Sequence, residues 1–155
     1  MKYQPLKSLL LTIVLLLGIQ VSAWAEDIIM VRSGQPFPET MNALQNAILD
    51  HGNVVSRVQR VDIGLNTAGY HTDKYRIVFY GKQAELKKIT DEHPELIAHL
   101  PLKISIFAEG DETLLVALNP EFLSGAYSSP DMEIIYRRWL NDLRSILDEV
   151  RKADD

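Results

Sequence analysis

The feature that most constrains the fold of this 155-residue chain is a long amphipathic pattern near its C-terminal end. Ser129 and Pro130 are typical of a helix start, because a hydroxyl can cap the first turn and proline at the first position needs no donor. Apolar residues then recur at alternating spacings of four and three: Met132, Tyr136, Trp139, Leu143, Ile146 and Val150. The pattern predicts a helix over 130–152, about 34 Å long. Such a helix is as long as a domain of this size is wide, so its apolar stripe must be covered along its whole length.

Shorter patterns divide the rest of the chain into strands and helices. We predict, in order, a strand at 28–31, a helix at 38–51, a strand at 54–63, a loop at 64–73, a strand at 74–80, a helix at 83–93, a short turn at 95–100 and a hairpin of strands near 102–108 and 114–118. In the hairpin, Leu114, Val116 and Leu118 supply the apolar positions of the returning strand. Hairpins without regular strand–helix–strand alternation predict an α+β domain with a mostly antiparallel sheet and helices on one face.

The first 25 residues have the pattern of a bacterial signal peptide. Lys2 and Lys7 precede a short apolar run at 8–19, and Ala23-Trp24-Ala25 ends the segment with small residues at the two positions that signal peptidase reads. We therefore predict cleavage after Ala25, a single periplasmic domain at 26–155, and no membrane association afterwards. A retained membrane anchor is the alternative, but the apolar run is too short to span a bilayer.

Composition excludes several kinds of site. The chain has no cysteine, so it has no disulfide, no thiolate metal site, no cysteine nucleophile, no lipid attachment site and no covalently bound c-type haem. Residues 26–155 carry 14 basic and 21 acidic side chains. Because this region is acidic and its predicted destination is outside the cytoplasm, we do not expect it to bind nucleic acid.

Several local motifs resemble those of a known protein family. They are Glu39-Thr40-Met41, His51-Gly52-Asn53-Val54-Val55, Arg60-Val61-Asp62, Tyr75-Arg76-Ile77-Val78-Phe79-Tyr80-Gly81, His99-Leu100-Pro101-Leu102-Lys103-Ile104 and the closing Asn119-Pro120. The region 28–124 resembles the family called domain of unknown function 302, and the helix at 130–152 is a C-terminal extension of that core. The resemblance implies a curved, TATA-binding-protein-like α+β sheet, a homodimer, and no established activity.

Motifs for catalysis are absent. The chain has no Gly-x-Ser-x-Gly elbow, no phosphate loop, no dinucleotide fingerprint, and no HExxH or HxH metal motif. The acidic residues at 109–112 fall in a tight hairpin turn, where a solvated turn is the usual interpretation. We therefore predict that the protein is not an enzyme, with a small hydrolase or metal enzyme as the least favoured hypothesis.

The remaining hypothesis is that the protein binds a ligand, and a few aromatic and histidine side chains are candidates for the binding site. His71 lies in a loop beside Tyr70 and Tyr75, while His93 and His99 flank a proline-containing turn that could bring them together. With Phe107, these residues could line a site for a flat apolar ligand, and a non-covalent b-type haem with one of these histidines as axial ligand is a specific version of that hypothesis. The alternative is a protein-interaction module that uses the C-terminal helix for docking.

Overall fold

The computed structural model describes residues 27–153, so the predicted signal peptide at 1–25 lies outside the described residues. The elements are β1 (Ile28–Ser33), α1 (Phe37–Asp50), β2 (Val54–Arg60), α2 (Val61–Thr67), β3 (Tyr75–Gly81), α3 (Gln83–Glu92), a first 3₁₀ helix (Pro94–Ala98), β4 (Leu102–Glu109), β5 (Glu112–Leu118), a second 3₁₀ helix (Pro120–Gly125) and α4 (Pro130–Lys152). Within residues 27–153, no helix is both long enough and apolar enough to cross a membrane.

The five strands form one sheet in the order β1-β5-β4-β3-β2, and every neighbouring pair is antiparallel. Helices α1 and α4 pack against each other and cover one face of this sheet. The predicted α+β fold, with a mostly antiparallel sheet, helices on one face and a long C-terminal helix, is confirmed. Strands β1 and β2 form the two edges of the sheet.

Helix α4 has the predicted bounds, because its start and its stripe are both local signals. The Ser129 hydroxyl accepts a hydrogen bond from the Met132 amide at 3.3 Å, as a capping residue should. The buried side chains of the helix are Met132, Tyr136, Trp139, Leu140, Leu143, Ile146, Leu147 and Val150. Since the domain itself covers this stripe, the helix offers a partner only isolated apolar residues such as Ile134, which is 67% exposed.

The apolar interior consists of two clusters that α4 connects. The main cluster lies between the sheet and the two long helices and includes Leu44, Ile48, Ile104, Leu115 and Ile146. The second lies beyond the end of the sheet, where the first half of α4 packs on α3 and both 3₁₀ helices; its members are Ile89, Leu96, Leu123, Met132, Tyr136 and Trp139. The extra length of α4 therefore buries a second, smaller core.

A polar clamp fixes α3 to α4 beside this second cluster. The Glu85 carboxylate accepts two hydrogen bonds from the Arg138 guanidinium, at 3.0 and 2.6 Å, and one from the Trp139 indole N–H at 2.9 Å. Trp139 is only 5% exposed, so this acceptor satisfies a buried donor. The clamp joins elements that are more than 50 residues apart in sequence.

The structure differs from the sequence-based prediction in two places. The strand predicted to reach residue 63 ends at Arg60, and α2 then extends from Val61 into the stretch predicted as a loop. Gly64 lies inside that helix and does not break it, whereas Gly69, with φ of +89°, makes the turn that follows. The second difference is at Asn119, whose side chain accepts a hydrogen bond from the Glu121 amide at 2.9 Å and so starts a 3₁₀ helix that we did not predict.

Candidate binding surface

The six candidate residues lie at two opposite ends of the sheet. Tyr70, His71, Tyr75 and Phe107 lie where β3 starts and β4 ends, and His93 and His99 lie where β3 ends and β4 starts. At about 3.3 Å per residue, the two ends of β3 are roughly 20 Å apart. The antiparallel pairing of β3 and β4 therefore separates His71 from His99 within one chain.

At the first end, the two aromatic strand residues meet directly. Tyr75 and Phe107 are register partners on β3 and β4, and their rings make an edge-to-face contact with centroids 6.0 Å apart. Tyr70 is 66% exposed and extends from the loop. His71 lies in a shallow hollow whose other lining residues, Asn66, Thr72 and Asp73, are all polar.

At the second end, the two histidines have separate surroundings. The His93 Nδ1 atom lies 3.3 Å from a carboxylate oxygen of Glu95, which lies two residues further along the chain in the first 3₁₀ helix. The His99 ring lies against the Tyr127 ring, with centroids 5.4 Å apart, and lines a cavity of about 90 Å³. Among residues 27–153, no group of three or more histidine, aspartate and glutamate side chains is arranged to hold a metal ion.

The largest candidate site is the sheet surface that faces away from α1 and α4, which we call the open face. By strand alternation and register it consists of Ile28, Met30 and Arg32 on β1, Leu114, Val116 and Leu118 on β5, Lys103, Ser105 and Phe107 on β4, Tyr75, Ile77 and Phe79 on β3, and Arg57 and Gln59 on β2. Most of these side chains are apolar, and none of them belongs to either hydrophobic cluster. Ile28 and Met30 are 50% and 63% exposed.

The sequence does not show by itself which residues of β5 belong to this surface, because β5 is apolar on both of its faces. The sequence Leu114-Leu115-Val116-Ala117-Leu118 has no polar residue to distinguish one side from the other. In the structure, Leu115 and Ala117 are buried under the helices, and Leu114, Val116 and Leu118 lie on the open face. The signal available in the sequence was this lack of alternation, which indicates a strand with apolar neighbours on both sides.

Charge is distributed unevenly along the open face. Lys103 and Arg57 flank Phe79 at one end, and among residues 27–153 neither has a carboxylate partner. Glu109 and Glu112 lie opposite each other at the other end, where both are near the Arg32 guanidinium. Lys103 and Glu109 are six positions apart along β4, which is about 20 Å. The open face therefore has a basic end and, since Arg32 balances one of the two carboxylates, a weakly acidic end.

The surroundings of two other ionisable groups near the sheet shift their pKa values. The Asp62 carboxylate on α2 pairs with the Arg76 guanidinium on β3, and this hydrogen-bonded contact holds the pKa of Asp62 below its ordinary value of 3.8. Burial raises the pKa of the Tyr80 phenol, and the negative charge of Asp142 raises it further. Tyr80 therefore remains a neutral phenol.

Comparisons with known proteins identify a family but no activity. A family model described as "Domain of unknown function DUF302" matches residues 29–150. A solved structure, the uncharacterized conserved protein DUF302 from Bacillus stearothermophilus, superposes with a TM-score of 0.73 at 21% sequence identity. That match covers 82% of this chain and 100% of the other one. No curated protein sequence matches this chain significantly.

Proposed function

This chain belongs to the DUF302 family, and we propose that it is an exported, non-catalytic binding module that works as a homodimer. The observation that carries the proposal is the open face, which is apolar and joins neither hydrophobic cluster. Five strands spaced about 4.8 Å apart and about 20 Å long give this face a footprint of roughly 500 Å². Nine of its fourteen side chains are apolar, and an exposed apolar patch of a few hundred Å² is often functional.

The charges on the open face favour a second copy of the chain as its partner. If two open faces meet with their strands antiparallel, the basic end of each copy lies over the acidic end of the other. Lys103 of one copy then approaches Glu109 and Glu112 of its partner. A two-fold interface must be self-complementary, and a face with opposite charges at its two ends meets that condition.

Mass in solution tests this proposal. We expect the mature chain to sediment as a dimer at micromolar concentration, and Met30→Arg to shift it to a monomer, because a charge on the open face would be buried without a partner. Ile134→Arg is the matched control, since Ile134 has almost the same exposure (67% against 63%) but lies on α4. A monomeric wild type, or a dimer that both variants leave intact, would reject the open face as the interface.

The haem hypothesis stays a prediction, and the surroundings of the histidines do not favour it. Cofactor sites usually enclose about 300–1,000 Å³ of mostly apolar space. The cavity beside His99 has about 90 Å³, and the hollow beside His71 is lined by polar residues. A Soret band in the absorbance spectrum of the purified protein would restore the haem hypothesis.

Export to the periplasm rests on the N-terminal sequence pattern. Lys2, Lys7 and the Ala23-Trp24-Ala25 segment support it. Mass spectrometry of the protein recovered from a periplasmic extract should find a mature chain that starts at Glu26. Recovery of the full-length chain from the cytoplasm would contradict this part of the proposal.

A further inference from the structure

A hollow of about 470 Å³ lies beyond the end of the sheet, and we call it the α4 hollow. One wall is formed by Asp27 and the second 3₁₀ helix, and the other wall is formed by the first two turns of α4. Tyr136 on α4 is fully buried, and its hydroxyl donates a hydrogen bond to the Tyr127 carbonyl at 3.1 Å, which fixes this part of the lining. The volume is in the range of about 300–1,000 Å³ that is usual for small-molecule sites.

The α4 hollow lies on the helix side of the sheet and not on the open face. The Asn119 amide donates to the Asp27 carbonyl at 2.9 Å, which continues the pairing of β1 with β5 by one residue beyond Ile28 and Leu118. Because side chains alternate along a strand, Asp27 and Asn119 point away from the open face. The Asn119 side chain also accepts from the Glu121 amide at 2.9 Å, so it joins the two acidic residues of this wall.

Charged side chains of both signs line the hollow without pairing with one another. Within residues 27–153, the side chains of Asp27, Glu121 and Arg137 make no hydrogen bond or ion pair. The Glu133 carboxylate accepts a hydrogen bond from the Ser128 hydroxyl at 2.9 Å, and a carboxylate has further acceptor sites. Three carboxylates and one guanidinium give the lining a net charge of −2. A complementary occupant is therefore positive overall and carries one anionic group.

The spacing of these charges indicates what kind of molecule would complement them. Glu133 and Arg137 are one helical turn apart on α4, with about 5–6 Å between their Cβ atoms. A carboxylate beside a guanidinium matches the ammonium and carboxylate groups that an amino acid carries on one carbon atom. The two carboxylates of the other wall, Asp27 and Glu121, are left for a second cation. Phe122, which is 52% exposed, adds an apolar ring to the lining.

We propose that the α4 hollow binds a free basic amino acid of the lysine type. The Arg137 guanidinium holds the α-carboxylate, and the Glu133 carboxylate accepts from the α-ammonium group. Asp27 and Glu121 accept from the side-chain ammonium group. The aliphatic chain between the two ends lies along the Phe122 ring. This proposal does not depend on the homodimer, because all of the lining residues come from one chain.

Three ligands of similar size separate the contributions of the charged groups. Norleucine is lysine without its side-chain amine, and cadaverine is lysine without its α-carboxylate. We expect calorimetric or NMR titration of the purified protein to give lysine about tenfold higher affinity than either analogue, because each analogue loses one set of charge-assisted contacts.

Two variants and a matched control assign these contacts to residues. Arg137→Gln should weaken lysine binding about tenfold and leave cadaverine binding at least as tight as in the wild type, because cadaverine has no carboxylate. Glu121→Gln should weaken the binding of lysine and cadaverine but not that of norleucine. Arg144→Gln is the control and should leave all three affinities unchanged. Arg144 is also an exposed arginine of α4 without a partner in residues 27–153, but it does not line the hollow.

Several outcomes would overturn the proposal. Affinity for cadaverine or norleucine equal to that for lysine would show that one of the two ends is not recognised. Equal effects of Arg137→Gln and Arg144→Gln would show that overall charge governs binding, and no binding of lysine at millimolar concentration would reject the site. The Met30→Arg variant, which tests the homodimer, should bind lysine like the wild type. Loss of lysine binding in that variant would contradict a site formed by one chain.

Discussion

Replacing Glu85 by alanine should destabilise the protein strongly, although the residue lies at the surface of α3. The carboxylate accepts a hydrogen bond from the Trp139 indole N–H at 2.9 Å, and Trp139 is 5% exposed. Leaving that donor buried without an acceptor costs about 1–3 kcal/mol. The two hydrogen bonds from Arg138, whose side chain is 42% exposed, add about 0–1 kcal/mol. We therefore expect a loss of about 1–4 kcal/mol in the free energy of unfolding.

A second substitution at the same site separates the two contributions. Glutamine at position 85 keeps an amide oxygen that can accept from Trp139 but loses the charge that pairs with Arg138. Glu85→Gln should therefore cost only about 0–1 kcal/mol, because the ion pair is partly exposed. Glu92→Ala is the control on the same helix, since its side chain is 56% exposed and lies 3.9 Å from its partner Lys88. Its cost should be below about 0.5 kcal/mol.

Urea denaturation followed by circular dichroism measures all three variants under the same conditions. The midpoint should fall clearly for Glu85→Ala, slightly for Glu85→Gln and hardly at all for Glu92→Ala, with similar slopes. Adding Trp139→Phe to the alanine variant should recover part of the loss, because it removes the unsatisfied donor. Equal losses for alanine and glutamine, or an alanine variant as stable as the wild type, would refute the role given to the indole.

Three further changes test other parts of the fold. Asp62→Asn should cost about 1.5–3 kcal/mol at neutral pH, since it breaks the pair with Arg76. Because folding lowers the pKa of Asp62, its stabilisation is complete above about pH 4 and is lost as the pH falls further, so the difference between wild type and variant should shrink in acid denaturation. Ser129→Ala should cost about 1 kcal/mol in urea denaturation through loss of the α4 cap, and an unchanged midpoint would count against it. Gly81→Ala should cost about 1–3 kcal/mol in the same assay, because φ of +154° is unfavourable for alanine; a neutral effect would show that the strand adjusts.

How much of the fold could be predicted depended on whether its signals were local. The bounds of α4 followed from Ser129, Pro130 and a regular stripe, all within one segment of sequence. Helix α2 was missed because Gly64 was interpreted as a breaker, whereas the ion pair between Asp62 and Arg76, which fixes α2 to β3, joins residues 14 positions apart. Local sequence patterns cannot predict a contact between residues that are this far apart in sequence.

The candidate site was less predictable than the fold, for a geometric reason. Tyr75 and Phe107 were chosen separately, and only the register of β3 and β4 makes them neighbours. The same register places His71 and His99 at opposite ends of the sheet.

The most direct test of the proposed homodimer is a charge-swap experiment on its two ends. Sedimentation equilibrium should be measured for Lys103→Glu, Glu112→Lys and the double variant. Each single change places like charges opposite each other across the two-fold axis, so we expect the dimer dissociation constant to rise about fivefold to tenfold. The double variant restores opposite charges between positions 103 and 112 but leaves Glu109 facing the new carboxylate, so it should dimerise more tightly than either single variant and less tightly than the wild type. Two results would contradict a dimer in which two open faces pack with their strands antiparallel. One is single variants with the dissociation constant of the wild type, and the other is a double variant with a higher dissociation constant than either single variant.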